Sequence, residues 1–169
     1  MLSSLAELAL QDLALCTHRR YRDGQRESIG PTFRHSGGSQ RSDLANSICD
    51  LVSIVEAFVT ARYEERFPEP PIRSLSNWKN RESAWDEKLG SRLNSVAEWR
   101  ILRGFVEVRN AIQHGSGRLT DQQLGKYKVE ILKRIGSAEV RLNGPMVVLL
   151  PEDLDRCHGA CAGVVRHLG

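Results

Sequence analysis

The chain has 169 residues, 27% of them charged, 40% hydrophobic and 6% aromatic, the make-up of one ordinary domain spanning 1–169 with no room for a second well-buried core. No stretch approaches the roughly 18–20 uncharged apolar residues of a membrane span, and the apolar start from Leu2 to Leu15 is interrupted by Glu7 and Asp12, so neither a spanning helix nor a secretory signal is expected. Cys16, Cys49, Cys157 and Cys161 lack the density of a disulfide scaffold and fit reduced thiols of a cytoplasmic protein, while a formal net charge of +3 does not by itself mark a nucleic-acid binder.

The first predicted element is a short amphipathic helix whose stripe is Leu2, Leu5, Leu8 or Ala9, Leu13 and Cys16. A basic stretch over 18–41 ends it. There Arg19, Arg20, Arg22, Arg26, Arg34 and Arg41 stand against Asp23 and Glu27, a local excess of +4, among Gly24, Gly30, Pro31, Gly37 and Gly38. That composition predicts a flexible loop. Two readings stand: an arm that contacts phosphates, or a solvated linker.

The next helix is predicted over about 43–66, with Leu44, Ile48, Leu51, Val55, Phe58 and Val59 on one face and Pro68, Pro70 and Pro71 closing it. After a Pro-rich connection at 67–77, Trp78, Arg81, Trp85, Lys88 and Leu89 keep helical spacing up to Gly90, and the two tryptophans are expected as core anchors. Ser95 to Glu98 has the form of a capping box, so a fourth helix is expected from Val96, with the stripe Val96, Trp99, Leu102, Phe105, Val106, Arg109 and Ile112. A second box, Thr120 to Gln123, predicts a fifth helix through Leu124, Tyr127, Ile131 and Ile135, ending at Gly136. Within 139–150, Val140 to Leu150 is expected as a hairpin turning at Asn143-Gly144, with Pro145 marking an edge strand. Pro151 opens a last helix with Leu154, Cys157, Cys161, Val164, Val165 and Leu168 inward. The fold class is therefore all-α, a bundle of five to six helices with a small hairpin before the last one. No P-loop, dinucleotide-type glycine loop or internal repeat is present.

The residues that stand out close the fourth helix: Arg109-Asn110-Ala111-Ile112-Gln113-His114, followed by Gly115. Arg109 falls in the apolar stripe, and an arginine keeps its charge in essentially any surroundings. It must either pair with a carboxylate of a neighbouring helix or face an anion in a wet cleft. His114 sits in the last turn, where the helix dipole favours a cation and where a lone histidine is more often a cap than a catalyst. Residues five apart on a helix are turned by roughly 140°, whereas residues four apart nearly share a face. Asn110 and His114 thus share a face and Arg109 does not. For Arg109 and His114 to serve one site, the helix must break near Gln113, or two chains must combine.

This Arg109-Asn110-x-x-x-His114 pattern, with its surroundings from Val108 to Thr120 and the helix, hairpin and helix that follow, resembles the R-N-x-x-x-H form of the HEPN superfamily of all-helical domains found in toxin–antitoxin, CRISPR-associated and abortive-infection ribonucleases. The resemblance implies a metal-independent endoribonuclease acting on single-stranded RNA as a homodimer, with two motifs facing each other across a shared cleft, no cofactor, and an antitoxin or regulatory protein as a further partner. It implies His114 as general acid or base, Arg109 as stabiliser of the phosphorane and Asn110 as the residue that orients His114 or the phosphate. Arg19, Arg20, Arg22, Arg26 and Arg34 would then contact RNA. Ser116 stands where some members carry a tyrosine that an antitoxin modifies. Members that have lost catalysis serve as nucleotide-binding or dimerisation modules, which is the alternative. Cys157, His158 and Cys161 offer metal ligands one turn apart, but the stripe already places both cysteines in the core.

Overall fold

The computed structural model describes residues 2–23, 43–69, 71, 74–90 and 93–169. Among them seven α-helices follow one another as α1 (Ser4–Asp23), α2 (Asp43–Arg66), α3 (Trp78–Leu89), α4 (Ala97–Gly115), α5 (Asp121–Leu124), α6 (Lys128–Ser137) and α7 (Pro151–Leu168). A 3-10 turn (Leu93–Ser95) precedes α4, and the hairpin β1 (Arg141–Asn143) and β2 (Met146–Val148) precedes α7, so the all-α bundle with one small hairpin is the observed fold. The core lies where α1, α2, α4 and α7 meet, with α6 laid on α4 and α3 on α2. Its largest fully buried side chains include Trp85, Trp99, Phe105, Leu51 and Leu102.

Helix α2 keeps the predicted boundaries and buries Leu44, Ile48, Leu51, Val55, Phe58 and Val59. By length and composition it is also apolar enough to cross a membrane, contrary to the expectation that no stretch qualifies. The burial of those residues against α1, α4 and α7 accounts for that apolar run as the central helix of the bundle. Helix α3 is as expected, with Asn77 accepting from the Asn80 N–H (2.9 Å) at one end and Gly90 in the left-handed region (φ +67°) at the other. Trp85 is fully buried, whereas Trp78 is half-buried and rests against Trp99.

Four boundaries differ from the expectation. Helix α1 does not stop at the basic stretch but runs to Asp23, because arginine is a good helix former and Gly24 is the first breaker. The backbone of Arg19, Arg20 and Arg22 is thus helical, and the rest of the expected loop, Arg26 and Arg34 included, lies outside the described residues. Helix α4 starts at Ala97 with Val96 as its N-cap, so Ser95 and Glu98 form no capping box; Ser95 belongs to the preceding 3-10 turn, and Glu98 lies against Gly163 of α7. The expected fifth helix is two helices. Its Thr120–Gln123 box forms, but the chain bends at Gly125 and resumes at Lys128, and the second piece runs past Gly136 to Ser137. The bend turns Gln123 inward, where its amide donates to the Glu107 carbonyl oxygen (2.9 Å) and to Glu107 Oε2 (3.1 Å).

In the hairpin Asn143 pairs with Met146, so the corner is Gly144-Pro145 rather than Asn143-Gly144. The reason is the proline. A two-residue turn needs an N–H donor on the residue that follows it, and Pro145 has none, so the turn moves by one residue and Met146 takes that place. Gly144 then carries the positive φ (+58°) at the first corner position.

Candidate active site

Helix α4 presents the Arg109 to His114 segment, and its own position is fixed by a close crossing. At Gly104 a Cβ would lie 2.6 Å from Ala138 Cβ and nearer still to the Arg134 carbonyl oxygen, so glycine is what lets α6 approach. One turn further on, buried Glu107 accepts from Arg134 Nη1 (2.8 Å) and from the Gln123 amide. These contacts lock α4 against α5 and α6 on one side.

Arg109 leaves on the other side. Its Nη2 lies 3.1 Å from Glu56 Oε2 of α2, and the second oxygen of the same carboxylate accepts from Arg81 Nη1 of α3 at 2.7 Å. Arg81, itself buried, is fixed further by Nε donating to Thr60 Oγ1 (2.8 Å) and by lying over the Trp78 ring. Three helices therefore meet at one carboxylate. Of the two readings of Arg109, the pairing with a neighbouring carboxylate is present, yet that carboxylate is divided between two guanidinium groups. Arg109 Nε is buried and has no hydrogen-bond partner among the described residues.

Helix α4 continues without a break through Gln113 to Gly115 and ends at Ser116, whose φ is +50°. Asn110 and His114 therefore stand on one face, half-buried and exposed respectively, while Arg109 turns away toward Glu56. Within one chain Arg109 and His114 do not converge. The His114 side chain makes no hydrogen bond or ion pair among the described residues.

The segment after His114 is held from below. The Gly117 N–H returns to the Ala111 carbonyl (3.0 Å) and the Arg118 N–H to that of Gly115 (2.9 Å). The hairpin then grips the strand-like exit: Val147 N–H donates to the Gly117 carbonyl and Leu119 N–H to the Pro145 carbonyl, both at 2.8 Å. The small hairpin thus fixes the turn that terminates the motif helix and leaves His114, Ser116 and Arg118 exposed together.

Elsewhere, Cys157 and Cys161 are buried reduced thiols and His158 is half-buried; among the described residues no three His, Cys, Asp or Glu side chains are grouped to hold a metal ion. Burial, then the neighbouring Cys161, pushes the Cys157 thiol well above its ordinary value. Arg19, Arg20 and Arg22 lie on the last turns of α1, and Arg26 and Arg34 fall outside the described residues.

Glu56 and Arg81 were the residues that sequence reasoning passed over. A signal existed for each: Glu56 is the only charge in the apolar run from Leu51 to Thr60, and Arg81 stands on the stripe with Trp78 and Trp85. No protein-family model, no curated protein and no solved structure matches this chain.

Proposed function

We propose that the chain is a metal-independent endoribonuclease of the HEPN type, cleaving single-stranded RNA as a homodimer and serving as the toxic or effector half of a cytoplasmic defence or toxin–antitoxin system. The observation that carries this reading is the disposition of the motif on unbroken α4: His114 exposed, Asn110 one turn back on the same face, and Arg109 turned away by roughly 140°. Such a helix supplies a proton carrier and a charge stabiliser to one cleft only when a second copy of the motif stands opposite.

RNA carries its own nucleophile, so no metal is required once protons are moved and charge is met. His114 accepts the proton of the 2′-OH as that oxygen attacks phosphorus. The bond from phosphorus to the 5′ oxygen breaks, and a protonated imidazole returns a proton to the leaving oxygen. Arg109 stabilises the extra negative charge on the phosphorane, and Asn110 orients the imidazole or the phosphate. The products are a 2′,3′-cyclic phosphate and a 5′-hydroxyl. DNA, which lacks the 2′-OH, is not cut.

The second reading, a non-catalytic module, is favoured by the Arg109–Glu56 ion pair, which gives the arginine a structural task. The two are separated by cleavage of a labelled single-stranded RNA in EDTA, with wild type, folded His114→Ala and a matching DNA. The ribonuclease reading predicts cleavage of RNA alone and a loss of about a hundredfold or more in the variant, the scale of general acid–base catalysis. An inert wild type, or a variant that cuts equally well, overturns it.

A further inference from the structure

The polar side chains that meet between α2, α3 and α4 are out of charge balance. One carboxylate, Glu56, faces two guanidinium groups, Arg81 at 2.7 Å and Arg109 at 3.1 Å, and no other carboxylate lies within ion-pair reach of either arginine among the described residues. The cluster therefore carries one net positive charge. It is neither sealed nor open: the side chains of Arg81, Glu56 and Arg109 are 10%, 18% and 19% exposed. A cation held mostly out of water without a full counter-charge is costly, and the cost falls when an anion arrives. Arg109 Nε adds a buried donor whose hydrogen-bonding capacity is unused among the described residues.

We propose that Arg81, Glu56 and Arg109 form a phosphate-binding triad in which Glu56, divided between the two arginines, sets how much positive charge Arg109 offers to a phosphate group. The planar fork of a guanidinium suits a tetrahedral oxyanion better than the point charge of a lysine does. Arg81 is a positioning residue: anchored to Thr60 Oγ1, it keeps one oxygen of Glu56 occupied, so that the carboxylate neither neutralises Arg109 fully nor releases it. The inference rests on the reading above, in which Arg109 faces a phosphate of RNA, and adds the two residues that tune it.

The test is binding, which needs no turnover. Titrations with a single-stranded DNA oligonucleotide, which has the phosphates but no 2′-OH, and with inorganic phosphate compare wild type, Glu56→Gln and Arg81→Met, each after a melting curve. Removing the carboxylate frees Arg109, and Glu56→Gln tightens binding by about tenfold, the scale of one unit charge at a partly exposed site. Arg81→Met leaves Glu56 to Arg109 alone and weakens binding by a similar factor. Opposite signs in the two variants support the triad. The response of the oligonucleotide identifies a nucleic-acid backbone as the ligand, and a response of inorganic phosphate alone identifies a small phosphate. If Glu56→Gln does not fold, Glu56→Asp, which draws the carboxylate back from both arginines, gives the same direction with a smaller rise. Equal affinities in all variants, or weakening in both in step with a lowered melting temperature, overturn the triad. Inertness toward RNA overturns the ribonuclease reading alone, because the affinities are measured on DNA and phosphate.

Discussion

Replacing Gly104 by alanine sets two effects of similar size against each other. Alanine is favoured over glycine in a helix by about 1 kcal/mol. At this position, however, the new methyl would meet Ala138 Cβ at 2.6 Å and the Arg134 carbonyl oxygen closer still. Carbon atoms rest at about 3.5–4.0 Å, so α4 and α6 must part by about an ångström, and a backbone oxygen cannot rotate aside. Overpacking of this kind costs about 1–3 kcal/mol, and a clash with a backbone oxygen lies in the upper half of that range, about 2–3 kcal/mol, so after the propensity gain the net loss is about 1–2 kcal/mol. In a chain of this size each kcal/mol moves the melting temperature by about 2–4 °C, which gives a fall of roughly 2–8 °C. The control is Gly136→Ala in α6, where a Cβ would meet nothing within 4 Å and the propensity term acts alone, raising stability by about 0.5–1 kcal/mol. Thermal melts followed by circular dichroism, with urea titrations at constant slope, measure both. A melting temperature for Gly104→Ala equal to or above that of wild type would refute the close crossing.

Burial pushes the Asp153 carboxyl up, against the pull of the Leu150 N–H and the Arg156 guanidinium. The native state then takes up this proton at a higher pH than the unfolded chain, so its contribution grows as pH falls through the raised value, is complete below the ordinary carboxylate value near 3.8, and is lost as pH rises. Urea midpoints between pH 4 and 7 should show this contribution disappear in Asp153→Asn; an unchanged pH profile in the variant would count against it. Among the thiols, half-buried Cys16 should be alkylated first in the native protein, and Cys157, buried and raised by burial, last. Mass spectrometry after a short iodoacetamide pulse orders them, and equal labelling of Cys16 and Cys157 would contradict the packing of α7.

Much of the fold was legible because helix periodicity is a long-range average that single residues do not spoil. The stripe of α2 and that of α7 each extend over about four turns, and both were read to the right boundaries. What failed was local, at the ends and corners of elements. Ser95 and Glu98 match the capping pattern, but Ser95 closes a 3-10 turn, and the Glu98 methylenes lie beside Gly163 of α7, an approach that no local window contains. Pro145 lacks the N–H that an Asn143-Gly144 corner would require, a constraint that was in the sequence and went unused. At the site, the angular separation of Arg109 and His114 followed from counting residues. The identity of the carboxylate that meets Arg109 did not, since Glu56 lies 53 positions away and only the packing of α2 on α4 unites them.

Helix α4 carries charged groups on two opposite sides, and the contrast between them argues for different tasks. On one side Glu107 spends one oxygen on Arg134 and the other on Gln123, while Arg134 also pairs with Glu130, whose carboxylate lies 3.9 Å from Arg103. Arg103 pairs more closely with Glu82 (3.1 Å), so acids outnumber bases there and each guanidinium has two carboxylates to itself or to share. Such a network fixes α4 against α5 and α6 and has no use for a ligand. On the other side Glu56 is outnumbered by Arg81 and Arg109, and the excess there is of cation. Desolvating an excess cation works against folding, so a chain selected only for stability would gain by replacing Arg81 or Arg109 with an apolar residue of similar volume. The arrangement is economical only if the missing counter-charge is brought by something that binds, and for a guanidinium next to a motif able to move protons, a phosphate is the anion that fits.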